Sequence, residues 1–480
     1  ELSRFQHFLT LSLAYKQTKE DKYYLEFETQ ILDWIKENPL GLGINWSTPM
    51  ECSIRAINLI QAFHIFEERI PTNLKEIIIT LIYNHGHYIR NNLEWSPAKE
   101  NHYIADLTGL FFIGIFFNKE KWISFSKKEL EKEILNQVSE DGVDYEASLN
   151  YHRLVTEMFL LILILSKNNN IEFSNIFKMR VENMCNFIMY YIPSSGNAPQ
   201  FGDTDNSRIL DIWNKNINDH RDLLTIASVL FNRGNFKSKC KYHKKLALLI
   251  DKKEFDKLES EEITLTSKAF KDYYIIRDKE LFIMIHCGHI GRNNFGGHGH
   301  NDQLSFVLSY DKDDYIIDSG TYCYTSDKLL RHQFRSTSYH NTLLINNEEQ
   351  AEIQINSPFD MKFKHPAVCD QFEEDEKEIM FIGHQNNFKR KIIYNKVTQE
   401  IIIEDKTNKE SNLQFNLHLH PFIKVAKKEN KYTLNYKIKI FTEDSNLVTT
   451  KYSSGYDQIE DSNSISIKKY GNYLKTIIQF

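Results

Sequence analysis

Residues 273–286 read YYIIRDKELFIMIH, two apolar runs joined by the polar residues Asp278, Lys279 and Glu280. Runs rich in β-branched and aromatic residues on either side of a short polar connection predict an antiparallel β-hairpin. Further strand-like runs follow at 304–310, 315–318, 342–345, 391–394, 400–404 and 413–419. Short strands separated by polar turns are typical of an all-β sandwich. We therefore predict a β-sandwich domain over residues 261–480.

The half of the chain that precedes this hairpin has a helical periodicity. Apolar residues recur three and four positions apart, for example in 54–63, 107–111 and 154–162. Average helix length predicts about eight to twelve antiparallel helices over residues 1–260. Two domains are also the default expectation for 480 residues, because one hydrophobic core seldom supports so long a chain.

Bulk composition narrows the class of protein. A hydrophobic content of 41% predicts a globular chain, and a net charge of −6 argues against nucleic acid as the partner. The longest apolar runs, 109–117 and 158–165, are too short to span a bilayer. The six cysteines lack the paired spacing of a disulfide framework or a Cys-x-x-Cys metal site. An anionic partner would have to be met by a local basic cleft.

The sequence is compatible with more than one cellular compartment. The chain begins with Glu1 rather than methionine, which is compatible with a removed signal peptide or with a trimmed chain. A periplasmic or secreted location is expected if a leader was removed, and a cytoplasmic one is also compatible with the sequence.

A cluster of histidines follows the predicted hairpin. Residues 297–302 read GHGHND, with His298 and His300 two positions apart, so that they face the same side of an extended backbone. Asp318 ends a later apolar run, and His340 follows it. Imidazole and carboxylate groups are good ligands for zinc, and a histidine that is not a ligand can move protons near neutral pH. So many ligand-type residues close together favour a site over ordinary core histidines.

Three clusters in the helical half carry further polar chemistry. They are Glu100-Asn101-His102-Tyr103, the segment 141–153, and the turn 199–205 with its two carboxylates. Taken singly, each cluster is more often a helix cap or a solvated face, and Asp141 and Asp203 fit such roles best. In the β half, Arg331 and Arg335 suit either a structural ion pair or a grip on a carboxylate.

Six motifs that occur in a fixed order carry a resemblance to a known family. They are Asn101-His102, Asp141-Gly142 with Tyr151-His152, Gly202-Asp203-x-Asp205, His298-x-His300-x-Asp302, Asp318-x-Gly320-x-Tyr322 and Arg335-Ser-Thr-x-x-His340-Asn341. Over about residues 45 to 345 the chain resembles the heparinase II/III family of polysaccharide lyases, most of all the heparinase III branch. The resemblance implies an N-terminal incomplete (α/α) toroid followed by a C-terminal antiparallel β-sandwich.

The resemblance also implies roles for individual residues. Asn101 resembles the amide that neutralises a uronate carboxylate, and Tyr151 and His298 resemble the catalytic pair. His300, Asp318 and His340 resemble the ligands of a metal, usually zinc, for which we expect a structural role. Candidate substrate-binding residues are Arg55, which follows Asn45-Trp46 and Glu51, together with His102, Glu146, Arg153, Asp205 and Arg335.

These residue types suit β-elimination from an anionic uronate polysaccharide. A base must remove the C5 proton while a donor such as Asn101 stabilises the enolate-like charge that develops. A free tyrosine has a pKa of about 10, so Tyr151 needs nearby positive charge to ionise, and Arg153, His102 and His298 are candidates. Tyr151 acts as both base and acid if the proton and the leaving group share one ring face. If they lie on opposite faces, His298 is the base and Tyr151 the acid.

Two other functions remain open on the sequence alone. One is a glycoside hydrolase on the same toroid that uses paired carboxylates such as Glu146 and Asp205. The other is a non-catalytic protein that binds glycans or assembles surface polysaccharides. The polymer is also open: a heparan-like glucuronate chain, another uronate-containing glycosaminoglycan and a bacterial surface polysaccharide all fit.

Overall fold

The first part of the chain is helical. The computed structural model describes residues 2–96, 99–213, 216–291, 296–363 and 365–480. Before the first strand, the helices in these ranges are α1 (Gln6–Thr18), α2 (Lys22–Glu37), α3 (Pro49–Phe66), α4 (Thr72–Asn91), α5 (Asn101–Phe116), α6 (Glu120–Gln137), α7 (Leu149–Asn168), α8 (Asn175–Tyr191), α9 (Arg221–Leu230), α10 (Gly234–Lys237) and α11 (Lys252–Lys257).

These helices form an inner and an outer layer. Helices α1, α3, α5, α7 and α9 contact one another in succession, while α2, α4, α6 and α8 pack outside them. The layers follow from the sequence, because α3, α5 and α7 are apolar around most of their circumference and are almost wholly buried. Helices α2, α4 and α6 bury one face only. The polar residues that α5 and α7 carry at their first turns therefore emerge at one end of the inner layer.

Helix α7 is long and apolar enough to cross a membrane by length and composition. Of its apolar window, 89% is buried inside the protein. The central helix of a packed core has this property as well.

The second part of the chain is built from antiparallel strands. They are β1 (Lys268–Phe270), β2 (Tyr273–Asp278), β3 (Leu281–His286), β4 (Phe306–Tyr310), β5 (Asp313–Ile316), β6 (Leu343–Ile345), β7 (Glu352–Ile353), β8 (Met361–Lys362), β9 (Val368–Glu374), β10 (Glu378–Gln385), β11 (Phe388–Asn395), β12 (Glu400–His418), β13 (Val425–Lys428), β14 (Lys431–Leu434), β15 (Ile438–Phe441), β16 (Ser445–Gly455) and β17 (Gln458–Gln479). Helix α12 (Lys328–Arg335) lies between β5 and β6.

Two sheets face each other in this lobe. Strands β1 to β5 pair in chain order, and the larger sheet runs β13-β14-β15-β17-β12-β11-β10-β9, with β16 beside β17 and β6 beside β12. The short strands β7 and β8 pair separately. The apolar faces of the two sheets bury one shared cluster that includes Ile283, Phe381 and Ile403.

The first sheet also joins the two lobes. Alternate residues of its strands point to opposite faces, so Tyr273, Phe282 and Met284 pack into the helical core while Leu281 and Ile283 pack into the sandwich. Helix α11 ends at Lys257 and β1 begins at Lys268. The division of the chain at residues 260 and 261 stays a prediction.

One predicted pair of strands is a single strand. The runs 400–404 and 413–419 both belong to β12, whose pairing with β17 shifts register between Lys406 and Ser411. The polar residues between the two runs make the single strand hard to predict from the sequence. A β-bulge there breaks the alternation of apolar and polar residues that identifies a strand.

Candidate active site between the two lobes

Tyr151 and His298 meet where the helical lobe faces the sandwich. Their rings are stacked, with centroids 3.6 Å apart and an angle of 19° between the planes. Tyr151 lies in the first turn of α7, where the Ser148 side chain caps the helix by accepting a hydrogen bond from the Tyr151 amide at 3.1 Å. His298 lies on the connection between β3 and β4. Both rings are more than nine-tenths buried.

The turn at Gly202 and Asp203 holds the two lobes together at this point. Gly202 has a φ of +68°, and a Cβ there would lie 2.3 Å from the Ala147 carbonyl oxygen and 2.9 Å from that of His298. The Asp203 amide donates to the His298 carbonyl at 2.8 Å. Only a residue without a side chain allows the backbones of three segments to approach so closely.

The Asp203 carboxylate binds three cationic or donor side chains. Its Oδ2 lies 3.0 Å from His298 Nδ1 and its Oδ1 lies 2.9 Å from His300 Nε2. The Arg331 guanidinium grips both oxygens, with Nη2 donating to Oδ2 at 2.8 Å. Burial would raise the pKa of Asp203, but Arg331 and the two imidazoles hold it well below the usual value. An ionised Asp203 can only accept, so His298 donates from Nδ1, and in a neutral ring Nε2 is then the acceptor.

The Tyr151 hydroxyl belongs to a second network. It donates to Asp205 Oδ2 at 2.9 Å and lies 3.3 Å from the Tyr324 hydroxyl, which also donates to Asp205 Oδ2, at 3.1 Å. Burial raises the pKa of Tyr151 well above its ordinary value, and the charges of Asp205 and Asp203 raise it further. The phenol therefore holds its proton in this structure.

Asn101 and Glu146 form a polar pair beside His298. Glu146 accepts from the Asn101 backbone amide at 2.7 Å and from Asn101 Nδ2 at 2.8 Å. Glu146 Oε2 also lies 3.7 Å from His298 Nε2. Burial raises the pKa of Glu146 well above its usual value, and the neighbouring Asp144 and Glu100 add to the shift. Asn101 Oδ1 is buried and has no hydrogen-bond partner among the described residues.

A cleft of about 570 Å³ opens onto His298. Its described walls are Leu93, Glu94, Trp95, Ser96, Glu100, His102, Gly297, His298 and Phe359. His102 Nδ1 lies 2.8 Å from Glu94 Oε1, and although burial opposes it, this contact raises the pKa of His102. Trp95 is 68% exposed at the rim, where its ring offers a flat apolar surface.

A second group of titratable residues lies behind Asp203. His300, Asp318 and His340 can each point one ligand atom into a common space, with these atoms within 4.8 Å of one another. Asp318 Oδ2 lies 2.7 Å from His340 Nδ1, and Asp318 Oδ1 accepts from the Gly320 amide at 3.0 Å. His300 Nδ1 and His340 Nε2 are buried and have no partner among the described residues. Two free imidazole nitrogens beside a carboxylate are the donor set of a zinc site.

The structure places two of the predicted substrate-binding arginines, Arg55 and Arg335, away from the cleft. Arg55 is fully buried and donates to His85 Nε2 at 2.9 Å and to the Asn45 carbonyl at 2.7 Å. Arg335 donates to the carbonyls of Gly296 at 2.8 Å and Pro358 at 2.7 Å. These side chains hold backbone in place, so their positions do not support direct contact with a substrate.

Arg153 lies one turn along α7 from Tyr151. Its Nη1 is 3.6 Å from Glu157 Oε2, and it also donates to the Ser207 carbonyl. It is buried and anchors the segment after Asp205. Arg153 was one of three candidates for positive charge near Tyr151, and its guanidinium contacts Glu157 and the Ser207 carbonyl instead.

Three residues at the centre of the site were not predicted from the sequence. The sequence favours a turn or cap role for Asp203, although this residue belongs to one of the motifs of the family resemblance; it leaves two roles open for Arg331 and gives no signal for Tyr324. The motif Gly202-Asp203 could have identified the first, because a glycine beside a carboxylate in a turn permits close backbone approach. Arg331 and Tyr324 depend on how α12 and its preceding loop pack against the helical lobe, which local sequence does not specify.

Comparisons with known proteins identify the family of the chain. The family model described as "Heparinase II/III N-terminus" matches residues 1–227, and "Heparinase II/III-like, C-terminal" matches residues 266–476. A heparin-sulfate lyase of Pedobacter heparinus is 26% identical over 374 residues, which are 72% of this chain and 52% of the relative. A heparin-sulfate lyase of Bacteroides thetaiotaomicron is 24% identical over 382 residues, 72% of this chain and 51% of the relative. The chain thus spans about half the length of these curated relatives.

Solved structures show the same fold. A crystal structure of heparinase III superposes with a TM-score of 0.78 at 17% identity, covering 100% of this chain and 76% of that one. A heparan sulfate lyase of Pedobacter heparinus gives a TM-score of 0.70 at 21% identity over 100% of this chain and 76% of that one. The predicted fold class, an incomplete (α/α) toroid followed by an antiparallel β-sandwich, is confirmed.

Proposed function

Because the chain belongs to the heparinase II/III family, we propose that it is a polysaccharide lyase that cleaves a uronate-containing glycan by β-elimination. The observation that carries this proposal is the stacked pair of Tyr151 and His298, with Asn101 and Glu146 beside it. This arrangement brings a base, an acid and a neutral hydrogen-bonding group together beside the cleft that His298 lines, and these are the three elements that elimination requires. Its named relatives are heparin-sulfate lyases.

His298 is the proposed base. Asp203 accepts from Nδ1, so the lone pair of Nε2 is available, and Nε2 lies on the side of the ring that faces Glu146. We propose that Nε2 removes the C5 proton of the uronate. The electrons of the C5–H bond then form the C4–C5 double bond, and the C4–O4 bond breaks.

Tyr151 is the proposed acid. Because Asp205 accepts a hydrogen bond from the phenol, and because burial and the two nearby carboxylates raise the pKa of Tyr151, the phenol enters the reaction protonated. It gives this proton to the departing O4. The phenolate and the imidazolium that remain are stacked against each other, so the imidazolium stabilises the phenolate until the proton returns.

Asn101 and Glu146 are the proposed partners of the uronate carboxylate. An ionised carboxylate makes the C5 proton hardly acidic, so a wall that neutralises it lowers the barrier to proton removal. Glu146 suits this wall because its raised pKa favours the uncharged acid, which does not repel a carboxylate. His102 and Trp95 line the same cleft and are the proposed contacts for the flanking sugar.

The stacking of the pair also bears on stereochemistry. Rings whose centroids are 3.6 Å apart leave no room for a sugar between them, so both groups reach the sugar from one side. From the sequence we expected His298 as base and Tyr151 as acid only for a proton and a leaving group on opposite ring faces. The stacking favours the same two roles on one ring face, which suits syn elimination. We therefore propose a uronate in which the C5 proton and O4 are cis, as in glucuronate, rather than one in which they are trans, as in iduronate.

A zinc ion is proposed at His300, Asp318 and His340. The two free imidazole nitrogens and the adjacent carboxylate fit it, and all three residues come from the β lobe. Bound zinc would brace the segments that carry these ligands, including the one that bears His298. No step of the elimination needs to pass through it.

The proposal is tested by incubating the chain with polymers that contain glucuronate, iduronate or galacturonate and following ultraviolet absorbance. Elimination creates a conjugated 4,5-unsaturated uronate, so absorbance rises, and it should rise with the glucuronate polymers. New reducing ends without that absorbance would instead identify the hydrolase alternative. For that alternative, Asp205 is a less suitable candidate, because its Oδ2 already accepts from two phenols. Binding with no cleavage of any polymer would identify the non-catalytic alternative.

A further inference from the structure

One segment of the sandwich lobe is strongly basic although the chain as a whole is acidic. Residues 424–439 contain six lysines and one glutamate, against a net charge of −6 for the whole chain. The segment forms β13, β14 and β15, which lie together at one end of the larger sheet. These three strands have no role in the proposed elimination.

The two faces of these strands differ sharply. Tyr432, Leu434, Ile438 and Ile440 point inward and are at most 1% exposed. The alternate residues point outward. Among them are Lys428 and Lys439, which are exposed, and Lys431, which is partly buried. We refer to Lys428, Lys431 and Lys439 as the lysine face.

The pairing of the strands brings these lysines close together. Lys428 lies directly opposite Lys431 in the β13–β14 ladder. Lys431 lies opposite Phe441, and Lys439 lies two residues from Phe441 on the same strand. With strands about 4.8 Å apart, the three side chains leave the sheet within roughly 12 Å of one another.

No ion pair among the described residues neutralises this cluster of charge. Like charges directly opposite each other in a sheet are destabilising. Among the described residues, no carboxylate forms an ion pair with Lys428, Lys431 or Lys439, whereas the neighbouring Lys437 pairs with Asp311 at 2.6 Å. Lys431 instead lies over the Phe441 ring, 5.3 Å from its centroid. The lysine face therefore presents an uncompensated positive field to an external anion.

A purely structural explanation covers only part of this pattern. Lysines on an edge strand prevent it from pairing with another sheet, which accounts for Lys428 on β13. Lys431 and Lys439 lie on β14 and β15, which already have partners on both sides. Protection of an edge does not require lysines there.

We propose that the lysine face binds anionic polysaccharide outside the cleft. A polymer with regularly repeated carboxylates or sulfates matches three ammonium groups on one flat sheet, each of which can act as a flexible point charge. Tyr436 adds an 86% exposed ring in the turn between β14 and β15, where one side of a sugar can rest. The cleft itself is lined by Glu94 and Glu100, so a separate basic surface gives the polymer an attractive point of contact.

The test is a binding measurement on the full chain. A protein with Tyr151→Phe is used throughout, so that the polymer is not consumed, and heparan sulfate and hyaluronan are the probes, with neutral dextran as a blank. In this background Lys428→Gln/Lys431→Gln/Lys439→Gln is compared with Lys128→Gln/Lys132→Gln/Lys253→Gln. The second set removes the same charge from exposed lysines of the helical lobe.

We expect the lysine-face variant to bind at least one of the two polymers about tenfold more weakly at low salt. The slope of log Kd against log salt should fall by about 2 to 3, because fewer counterions are released. The control set should behave as the parent does. Thermal unfolding of both variants confirms that the exposed substitutions leave the fold intact.

Several results would overturn the proposal: equal Kd values for both sets of variants, binding of neither polymer by the parent, or dependence on the lysine face only for vesicles of anionic lipid. The proposal takes only the class of polymer from the proposed function. The two proposals can fail separately. If the parent protein never raises ultraviolet absorbance but the lysine-face variant still loses binding, polysaccharide binding at the lysine face is supported and the lyase activity is rejected.

Discussion

The phenol ring of Tyr151 and the imidazole ring of His298 are stacked with their centroids 3.6 Å apart. The first comes from the helical lobe and the second from the sandwich lobe, and the Asp203 backbone fixes their meeting by donating to the His298 carbonyl at 2.8 Å. The hydrogen bonds around the two rings assign them different roles in proton transfer. Asp203 leaves His298 Nε2 free to accept a proton, while Asp205 keeps the proton on Tyr151. Each of the following predictions tests one part of this arrangement.

Replacing Tyr151 with phenylalanine should abolish formation of the unsaturated product while leaving the fold intact. The ring stack remains, but the proton for O4 is lost, and general acid catalysis typically contributes about 10²- to 10⁴-fold. Initial rates of ultraviolet absorbance measure the effect, and circular dichroism checks the fold. Tyr324→Phe is the matched control, because it removes the other donor to Asp205 and should cost far less. Equal losses in the two variants would remove Tyr151 from its special role.

Replacing Glu146 with glutamine should retain most of the activity at neutral pH. Glutamine reproduces the protonated acid: its carbonyl accepts from the Asn101 amide, and its NH₂ can donate to Asn101 Oδ1, which leaves Asn101 Nδ2 for the uronate. Because the pKa of Glu146 is raised, the parent should lose activity at alkaline pH as this proton leaves, and Glu146→Gln should lack that decline. Glu146→Ala strands the Asn101 donors and should lose at least about tenfold. An inactive Glu146→Gln would show that the carboxylate itself is needed.

Replacing Asp203 with asparagine should destabilise the protein by about 3–5 kcal/mol. Arg331 would then keep a buried charge without its counter-charge, and both imidazoles would lose their ionised acceptor, because an amide offers only one neutral carbonyl oxygen. Urea unfolding measures the change. The double variant Asp203→Asn/Arg331→Met should recover part of the stability but not the activity, since His298 still lacks its anchor. If the double variant recovered both stability and activity, the role of Asp203 would be limited to neutralising the charge of Arg331.

Freshly purified protein that has not met a chelator should contain one zinc per chain. His300→Ala removes one of the two free imidazole nitrogens and should lose the metal and lower the unfolding temperature. Elemental analysis and thermal unfolding measure these effects. His289→Ala changes an exposed histidine that contacts Asp272 instead, and its metal content should equal that of the parent. Absence of metal from the parent protein would refute the site.

The stability of the protein should fall as the pH rises from about 4 to 8 because of Asp106. Burial raises the pKa of this carboxyl from 3.8 to about 8 in the folded protein. Between these values the folded state keeps a proton that the unfolded state has released. The stability that Asp106 contributes through this proton is therefore complete below pH 4 and is lost as the pH rises to 8 and above. Asp106→Asn keeps an acceptor for the Glu94 amide, 2.7 Å from the present carboxylate, and should flatten the dependence. Parallel curves of unfolding temperature against pH for the two proteins would contradict this prediction.

Much of the architecture could be predicted, because helices and strands follow from the local spacing of apolar and polar residues. The apolar spacing along α3, α5 and α7 identifies helices buried on most sides, and the hairpin at 273–286 forms β2 and β3 with Tyr273 opposite His286. The spacing of His298 and His300 predicts a common direction, and both side chains reach the one carboxylate of Asp203. These features depend only on the fixed repeats of helix and strand.

The remainder required the packing of the two lobes. Arg55 and Arg335 carry the residue type expected of a substrate contact, yet both are buried against backbone carbonyls. Asp203 has the sequence of a turn residue, but Gly202 lets three backbones approach and makes Asp203 the link between His298, His300 and Arg331. Whether a polar residue serves a cap or a site depends on what faces it, and local sequence does not record that.

By itself, the sequence determined the order of the two lobes, the helical and strand periods within them and the residue types available for chemistry, since each of these is a property of neighbouring positions. Only the tertiary structure decided that Tyr151 holds its proton, that His298 directs Nε2 towards Glu146 and that the two rings stack. The reason is physical: pKa shifts, tautomers and distances across the cleft arise from groups far apart in the chain, and packing alone brings those groups together.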